Sequence, residues 1–426
     1  EITTRLVGSE MCIRDRNKNN KKHIFSSNGI FTTFVHKKKN KIMEKRKTIG
    51  FISYADPKDK TAWSGTIHYL YNSIENSGYN VIWIKARFSK WIRHYQKFLD
   101  RLSKRSNKHY SIAHTLLAAY LTRLDKKDFK KADILFSPGC TAIYKLKTDK
   151  PIIYLADATF KSIHNYYDEF SNLLSFNIRE GNIIEKKALT KATHIIHASD
   201  WAKQSAIIDY GIPNDKISVL EFGANITTQS FKKYPKKDKT LHILFLGIDW
   251  QRKGGDIAIE TCRILNNQGI KSMIHIIGPV EVPESCKNIP YIEFIGFLNK
   301  NNQCDYERII QYMSSSDILL LPTQAECAGI VFVEASAYSM PIFTYDTGGI
   351  SNYVINGING YRLPLKSDSY EFASKIENCI KSGELSLMQE YAANLYKEKL
   401  NWAHWSKRFK KIIDNTVSYT HLTLPT

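Results

Sequence analysis

The stretch Leu319–Asp346, LLLPTQAECAGIVFVEASAYSMPIFTYD, restricts the folds open to this chain more than any other. Four apolar residues, Ile318–Leu321, run into Pro322, the pattern of a strand buried on both faces of a parallel sheet. A short loop carrying Glu326 and Gly329 leads into Ile330–Tyr338, read as a helix, and a second apolar strand begins after Pro341. Strand, loop, helix and strand in that order make an α/β unit. The first turn of the helix leaves backbone N–H groups near Ala328, Gly329, Ile330 and Val331 without intrahelical partners, so an anion can sit there. Glu326 and Glu334, seven residues between them, flank that place. The paired oxygens of a carboxylate suit the vicinal hydroxyls of a ribose or hexose. An anion cradle bordered by diol-reading carboxylates is what a nucleotide-sugar donor requires.

A second cradle precedes it. Strand Leu241–Leu246 runs into Gly247, then Arg252 and Lys253 stand before Gly254-Gly255 and a helix over Asp256–Asn267. Two cations and free N–H groups converge at a helix start, which suits a diphosphate and the charge that develops on it as it leaves. Further strands are read at Ser272–Gly278 and Ile292–Phe297, helices at Ser367–Ile380 and Glu384–Lys399, and a last amphipathic helix at Trp402–Ile413. Asn356-Gly357 and Asn359-Gly360 read as a hairpin-like loop.

The first half shows the same alternation. Lys47–Tyr54 is a strand, followed by a loop with Gly65, a helix over Ile67–Ser77 and a strand at Asn80–Lys85. Gly65 permits close approach of the backbone to a ligand. Strands follow at Asp133–Ser137, Pro151–Leu155, Thr193–Ala198 and Ile217–Gly223. The second of these four strands, Pro151–Leu155, runs into Ala156-Asp157, and Asp157 there can serve as an N-cap of the next helix. Two such halves predict two Rossmann-like domains, residues 43–228 and 229–399, joined through the Lys-rich linker Gln229–Lys239, with residues 400–416 as a final helix.

The ends match nothing in this body. Glu1–Arg16 and Val417–Thr426 resemble translated sequencing-adapter read-through, so residues 1–42 and 417–426 are set apart as a leader and a tail, with Met43 as the expected start. Of the net charge of +20, +7 falls in residues 1–42, leaving +13 for the rest. No apolar run reaches the roughly 18 residues that a membrane span needs. Seven cysteines with no C-x-x-C spacing read as free thiols in a reducing cytoplasm. The chain contains no Asp-x-Asp and no His/Cys/carboxylate cluster with metal spacing, so no metal and no cofactor are expected.

Lys85–Lys131 holds 14 Lys and Arg against 3 Asp, interleaved with Phe88, Trp91, Tyr95, Phe98 and Tyr110. It reads as amphipathic helices at Arg87–Leu102 and Ser111–Leu124. A basic, aromatic helix fits an anionic membrane surface; a solvated insertion with its aromatics in the core remains an equal reading, and a nucleic-acid partner is not expected.

The segment Glu326–Ile342, ECAGIVFVEASAYSMPI, followed by Gly348-Gly349, resembles the E-x7-E signature of family 4 retaining glycosyltransferases, and the resemblance runs from about Lys47 to about Asp414. It implies the GT-B fold, two Rossmann-like domains facing a central cleft with residues 400–416 crossing back to the first domain. It also implies Asp157 on the acceptor side of that cleft and a metal-independent transfer of a hexosyl unit from a nucleoside-diphosphate sugar. The acceptor would be a glycan or lipid-linked, in cell-surface polysaccharide or lipopolysaccharide synthesis at the inner face of the membrane. By this resemblance Arg252 and Lys253 grip the diphosphate beside Gly247, Glu326 orients the donor sugar, Glu334 holds the ribose diol, and backbone near Phe297 and Leu298 meets the base. The loop with Gly65 then faces the acceptor. Three positions depart from the family: Ile248 stands where an Arg is usual, Asp157 where many members have a His, and Asn352 where a Glu follows the Gly pair. They point to one other reading, a non-catalytic nucleotide-sugar-binding partner; a second, a GT-B nucleotide-sugar epimerase, stays open beside it.

Overall fold

The computed structural model describes residues 46–226 and 239–422, apart from 280, 282, 287 and 288. The leader and most of the linker, residues 227–238, lie outside the described residues. Seven strands form the first sheet: β1 (Thr48–Ser53), β2 (Asn80–Arg87), β3 (Arg123–Leu124), β4 (Ile134–Pro138), β5 (Ile152–Ala156), β6 (His194–His197) and β7 (Ile217–Val219), in the order β3-β2-β1-β4-β5-β6-β7. All pair parallel except β3, which runs antiparallel to β2. The second sheet has six parallel strands: β8 (Leu241–Leu246), β9 (Ser272–Ile277), β10 (Ile292–Gly296), β11 (Ile318–Leu321), β12 (Ile342–Tyr345) and β13 (Gly360–Leu363), ordered β10-β9-β8-β11-β12-β13. β4, β5, β11 and β12 are apolar runs with almost every residue buried, as strands covered on both faces must be.

In each sheet the strand order reverses once, between β1 and β4 and between β8 and β11. In open α/β sheets ligands bind outside the carboxyl ends of the strands at that reversal. Gly247 follows β8, Pro322 follows β11 and Asp157 follows β5, so these groups stand at such carboxyl ends.

Two elements differ from the sequence reading in kind. The basic stretch forms helix Ile92–Ser106, but Ser111–Leu124 is not one helix: a 3-10 turn at Ile112–His114 precedes helix Leu116–Leu121 and then β3. The Thr115 side chain caps that short helix, which divides the segment. The two Asn-Gly pairs make no hairpin either. Gly360 opens β13, which pairs parallel with β12, and a Cβ there would collide with the Ile342 backbone.

The last helix spans Trp402–Leu422, past residue 416, and packs on helix Thr66–Asn76 of the first half. Ser406 Oγ donates to the Ser73 carbonyl at 2.8 Å, and Tyr79 donates to Asp414 at 3.0 Å. Phe409 is wholly buried, stacked on Trp405 at 4.8 Å and edge-on to Phe136 at 5.7 Å. Phe409→Ala should therefore cost about 3–5 kcal/mol of stability by denaturant titration. A loss below about 1 kcal/mol would show that this helix contributes little to the fold.

Candidate active site

A cleft of about 1020 Å³ lies where the carboxyl ends of the strands from both halves meet, and both halves line it. From the second half, Gly247, Arg252, Lys253, Phe297, Leu298, Glu326, Ala328, Gly329, Ile330, Val331 and Glu334, all singled out from sequence, line this cleft. Asp157 lines it from the first half. Gly65 does not: its neighbours Ser64 and Thr66 face the cleft, while Gly65 is buried behind them.

The centre is a charged cluster. Lys253 Nζ pairs with Glu326 Oε2, and Arg252 Nη1 stands 3.9 Å from the same oxygen. Arg252 also donates to the Ala325 carbonyl at 2.9 Å and to Asp249 Oδ2 at 3.2 Å, and its guanidinium lies 5.2 Å from the centre of the Tyr167 ring. The Lys253 and Glu326 side chains are only 12% and 14% exposed, so each charge relies on the other. Gly254 begins helix Gly255–Asn267 in the left-handed region at φ 76°, and a Cβ there would strike the Pro322 carbonyl. That contact sets the helix start, with its free N–H groups, against the end of β11.

Glu326 and Glu334 sit at opposite ends of one short unit. Gly329, at φ 71°, begins helix Ile330–Ala337, and Glu334 lies on that helix. Glu334 is 2% exposed and is paired with Lys300 Nζ at 2.6 Å. Burial raises its carboxyl above the ordinary value, while the Lys300 charge and hydrogen bond pull the other way.

Across the cleft, the Trp63 indole N–H donates to Asp157 Oδ2 at 3.2 Å. Burial pushes the Asp157 carboxyl up to about 6; the Trp63 bond opposes this and the Glu326 charge adds to it. Asp157 is no N-cap, since Thr159 caps the following helix with a capping box. Trp63 and Ser64 hold φ of 50° and 54°, unusual for residues with side chains, and the strain persists only because neighbours enforce it. Asn225 Nδ2 donates to the Ser64 carbonyl at 2.8 Å and to Thr66 Oγ1 at 3.1 Å.

Three contributors escaped the sequence reading. The Tyr166 hydroxyl accepts from the Glu326 N–H at 2.9 Å, and that of Tyr167 accepts from the Cys327 N–H at 3.0 Å, so the first half holds the Glu326 loop by its backbone. Lys300 partners Glu334 from the loop after β10. No spacing marks these residues, because each acts across more than 30 residues of chain. Asn352 bonds Asp200 and Glu221 of the first half, at 2.8 and 3.2 Å.

This pair of sheets around one cleft is the GT-B fold. The chain is similar in structure to sucrose-phosphate synthase from Thermosynechococcus elongatus (TM-score 0.64, 13% identity, 88% of this chain and 100% of that one). It is also similar to Anabaena HepE, solved in complex with UDP and glucose (TM-score 0.55, 16% identity, 86% and 99%). Residues 226–416 match the family model described as "Glycosyl transferases group 1". In sequence the chain resembles the capsular polysaccharide biosynthesis glycosyltransferase CapM of Staphylococcus aureus, 28% identical over 48% of this chain and 56% of that protein. The chain spans about half the length of the curated relatives it matches.

Tyr167→Phe removes the acceptor of the buried Cys327 N–H and should lower stability by about 1–3 kcal/mol in denaturant titration. An unchanged midpoint would mean that this bond does not hold the loop.

Proposed function

We propose that the chain is a retaining, metal-independent glycosyltransferase that moves a hexosyl unit from a nucleoside-diphosphate sugar to a glycan or lipid-linked acceptor. The observation that carries this reading is the convergence of Arg252, Lys253 and two helix N-termini on one cleft also lined by Glu326 and Glu334. The diphosphate would draw Lys253 and Arg252 from Glu326, leaving that carboxylate to accept from donor-sugar hydroxyls. Glu334 would hold the ribose diol. The acceptor oxygen bonds to the sugar C1 as the bond from C1 to the diphosphate oxygen breaks, and the acceptor's proton passes to the departing phosphate on the same face. The cations stabilise that charge as it forms. UDP is the first nucleotide to try, because HepE was solved with UDP, and the name of CapM supports a cell-surface polysaccharide as product.

Thermal shifts with UDP, GDP, ADP and their sugars, with and without EDTA, test the donor site. One nucleotide should raise Tm and keep doing so in EDTA; a flat response to all of them overturns the reading. In Lys253→Ala, turnover should fall by roughly 10²–10³-fold, about 3–4 kcal/mol of transition-state stabilisation. Unchanged turnover sinks the phosphate assignment.

Asp157 would accept a hydrogen bond from the acceptor hydroxyl in its ionised form. Its carboxyl is raised to about 6, so the ionised form prevails above that pH and kcat/KM should decline as pH falls through it. The limb should vanish in Asp157→Asn. The fold itself should not suffer, because a raised carboxyl pKa means that ionisation above it opposes folding. A limb retained in the variant would assign the titration elsewhere.

The association with the inner face of the membrane rests on Trp91, Phe98 and Tyr120, 72%, 56% and 65% exposed in the basic Lys85–Lys131 stretch. Among the described residues no helix is long and apolar enough to cross a membrane. Co-sedimentation with vesicles should require anionic lipid and weaken in Trp91→Ala/Phe98→Ala. Equal recovery with neutral vesicles would overturn it.

A further inference from the structure

The two walls of the cleft differ in charge: on the second half the cations are matched by Asp249, Glu326 and Glu334, whereas on the first half carboxylates are in excess. The second half contributes Arg252, Lys253 and Lys300 to the lining. Among the described lining residues the first half contributes one lysine, Lys60, against Asp157, Asp168, Glu169 and Glu185. The chain as a whole has 61 Lys and Arg against 41 Asp and Glu, so this acidic wall runs against the composition.

Its carboxylates are not equivalent. Glu185 is 2% exposed and takes the Tyr154 hydroxyl at 2.7 Å, which commits it to the fold. Asp168 and Glu169 are exposed, on the short turn Asp168–Phe170. Beside them are the part-exposed rings of His114 and Phe170, with the buried Phe160 packed against both. The His114 ring lies 4.7 Å from Phe160 and 5.6 Å from Phe170, centre to centre. Ser111 Oγ engages His114 Nδ1 at 2.8 Å, which leaves Nε2 as the ring nitrogen for a ligand. The turn that carries His114 is pinned by Asn177, whose side-chain amide donates to the Ser111 and His114 carbonyls at 3.2 and 2.7 Å.

A pyranose offers C–H faces to aromatic rings and hydroxyls to carboxylates, so rings and acidic groups side by side suit a neutral sugar. A uronate or phosphate in the same place would meet like charge. We propose that this lobe is the acceptor subsite, that it takes an uncharged sugar ring, and that His114 and Glu169 determine that specificity. Any phosphate or lipid carried by the acceptor then lies outside the lobe. The proposal rests on the glycosyltransferase reading and narrows it to one class of acceptor terminus.

Saturation-transfer NMR with p-nitrophenyl β-glucoside, β-galactoside and β-glucuronide tests it without a known donor. At least one neutral glycoside should bind about tenfold more tightly than the glucuronide, a difference of ~1.4 kcal/mol. Glu169→Lys changes an exposed residue and should cut that ratio at least threefold, and His114→Ala should weaken the neutral glycoside. The nucleotide thermal shift, measured on the same samples, should be unchanged in both variants. Glucuronide binding as tight as the neutral glycosides, a ratio unmoved by Glu169→Lys, or no glycoside binding at all would each overturn the proposal. Glycoside binding with no nucleotide shift would instead remove the donor reading and leave the sugar site standing.

Discussion

Two cations kept in a part-buried place need a counter-charge, and Glu326 supplies it for Arg252 and Lys253. Much of the second half's geometry serves that meeting. Gly254 lets the helix that follows the cations start against the end of β11. Gly349 lies flat on the Glu326 loop, donating to the Glu326 carbonyl at 3.1 Å where a Cβ would collide with the Cys327 carbonyl. Tyr166 and Tyr167 hold the loop from the other half. The loop that carries the carboxylate is therefore held by its backbone as well as by the charge pair.

The halves are tied behind the cleft by polar groups that must be satisfied there. Glu221 is 6% exposed and meets Lys399 and Arg408 at 3.0 Å each, beside Asn352. Burial alone would raise its carboxyl; the lysine charge and the converging hydrogen bonds bring it below the ordinary range. The Tyr353 hydroxyl donates to the Ala198 carbonyl at 2.7 Å and accepts from the Phe222 N–H at 3.1 Å. Asn352, where the family that the sequence resembles carries a Glu, is thus part of the joint between the halves. Its amide both donates to Asp200 and accepts from that residue's N–H, a pairing that a carboxylate could not reproduce.

The parallel strands were legible because burial on both faces leaves an apolar run and little else, as in Ile318–Leu321 and Ile152–Ala156. The cation pair before Gly254 and the two glutamates were legible because they are local: each cradle is built within one strand–helix turn. Tyr166, Tyr167 and Lys300 were not, because their partners lie far along the chain and nothing in their own neighbourhood depends on them. The division of Ser111–Leu124 was hidden for a different reason. Its apolar residues keep a helical spacing, and only the cap at Thr115 and the pairing of β3 with β2 show where the helix stops. Asp157 and Thr159 both suit an N-cap by residue type, and only the capping box of Thr159 removes that role from Asp157.

The antiparallel β3 has a consequence beyond topology. A parallel sheet ends in strands whose outer amides and carbonyls invite another chain to add on, and such addition starts aggregates. Here one edge of the first sheet is a two-residue strand beginning with the exposed Arg123, and the other, β7, has three residues. Neither offers enough contiguous backbone to template a stranger, and the basic side chain repels an identical copy. The first half therefore carries its own protection against sheet-to-sheet growth.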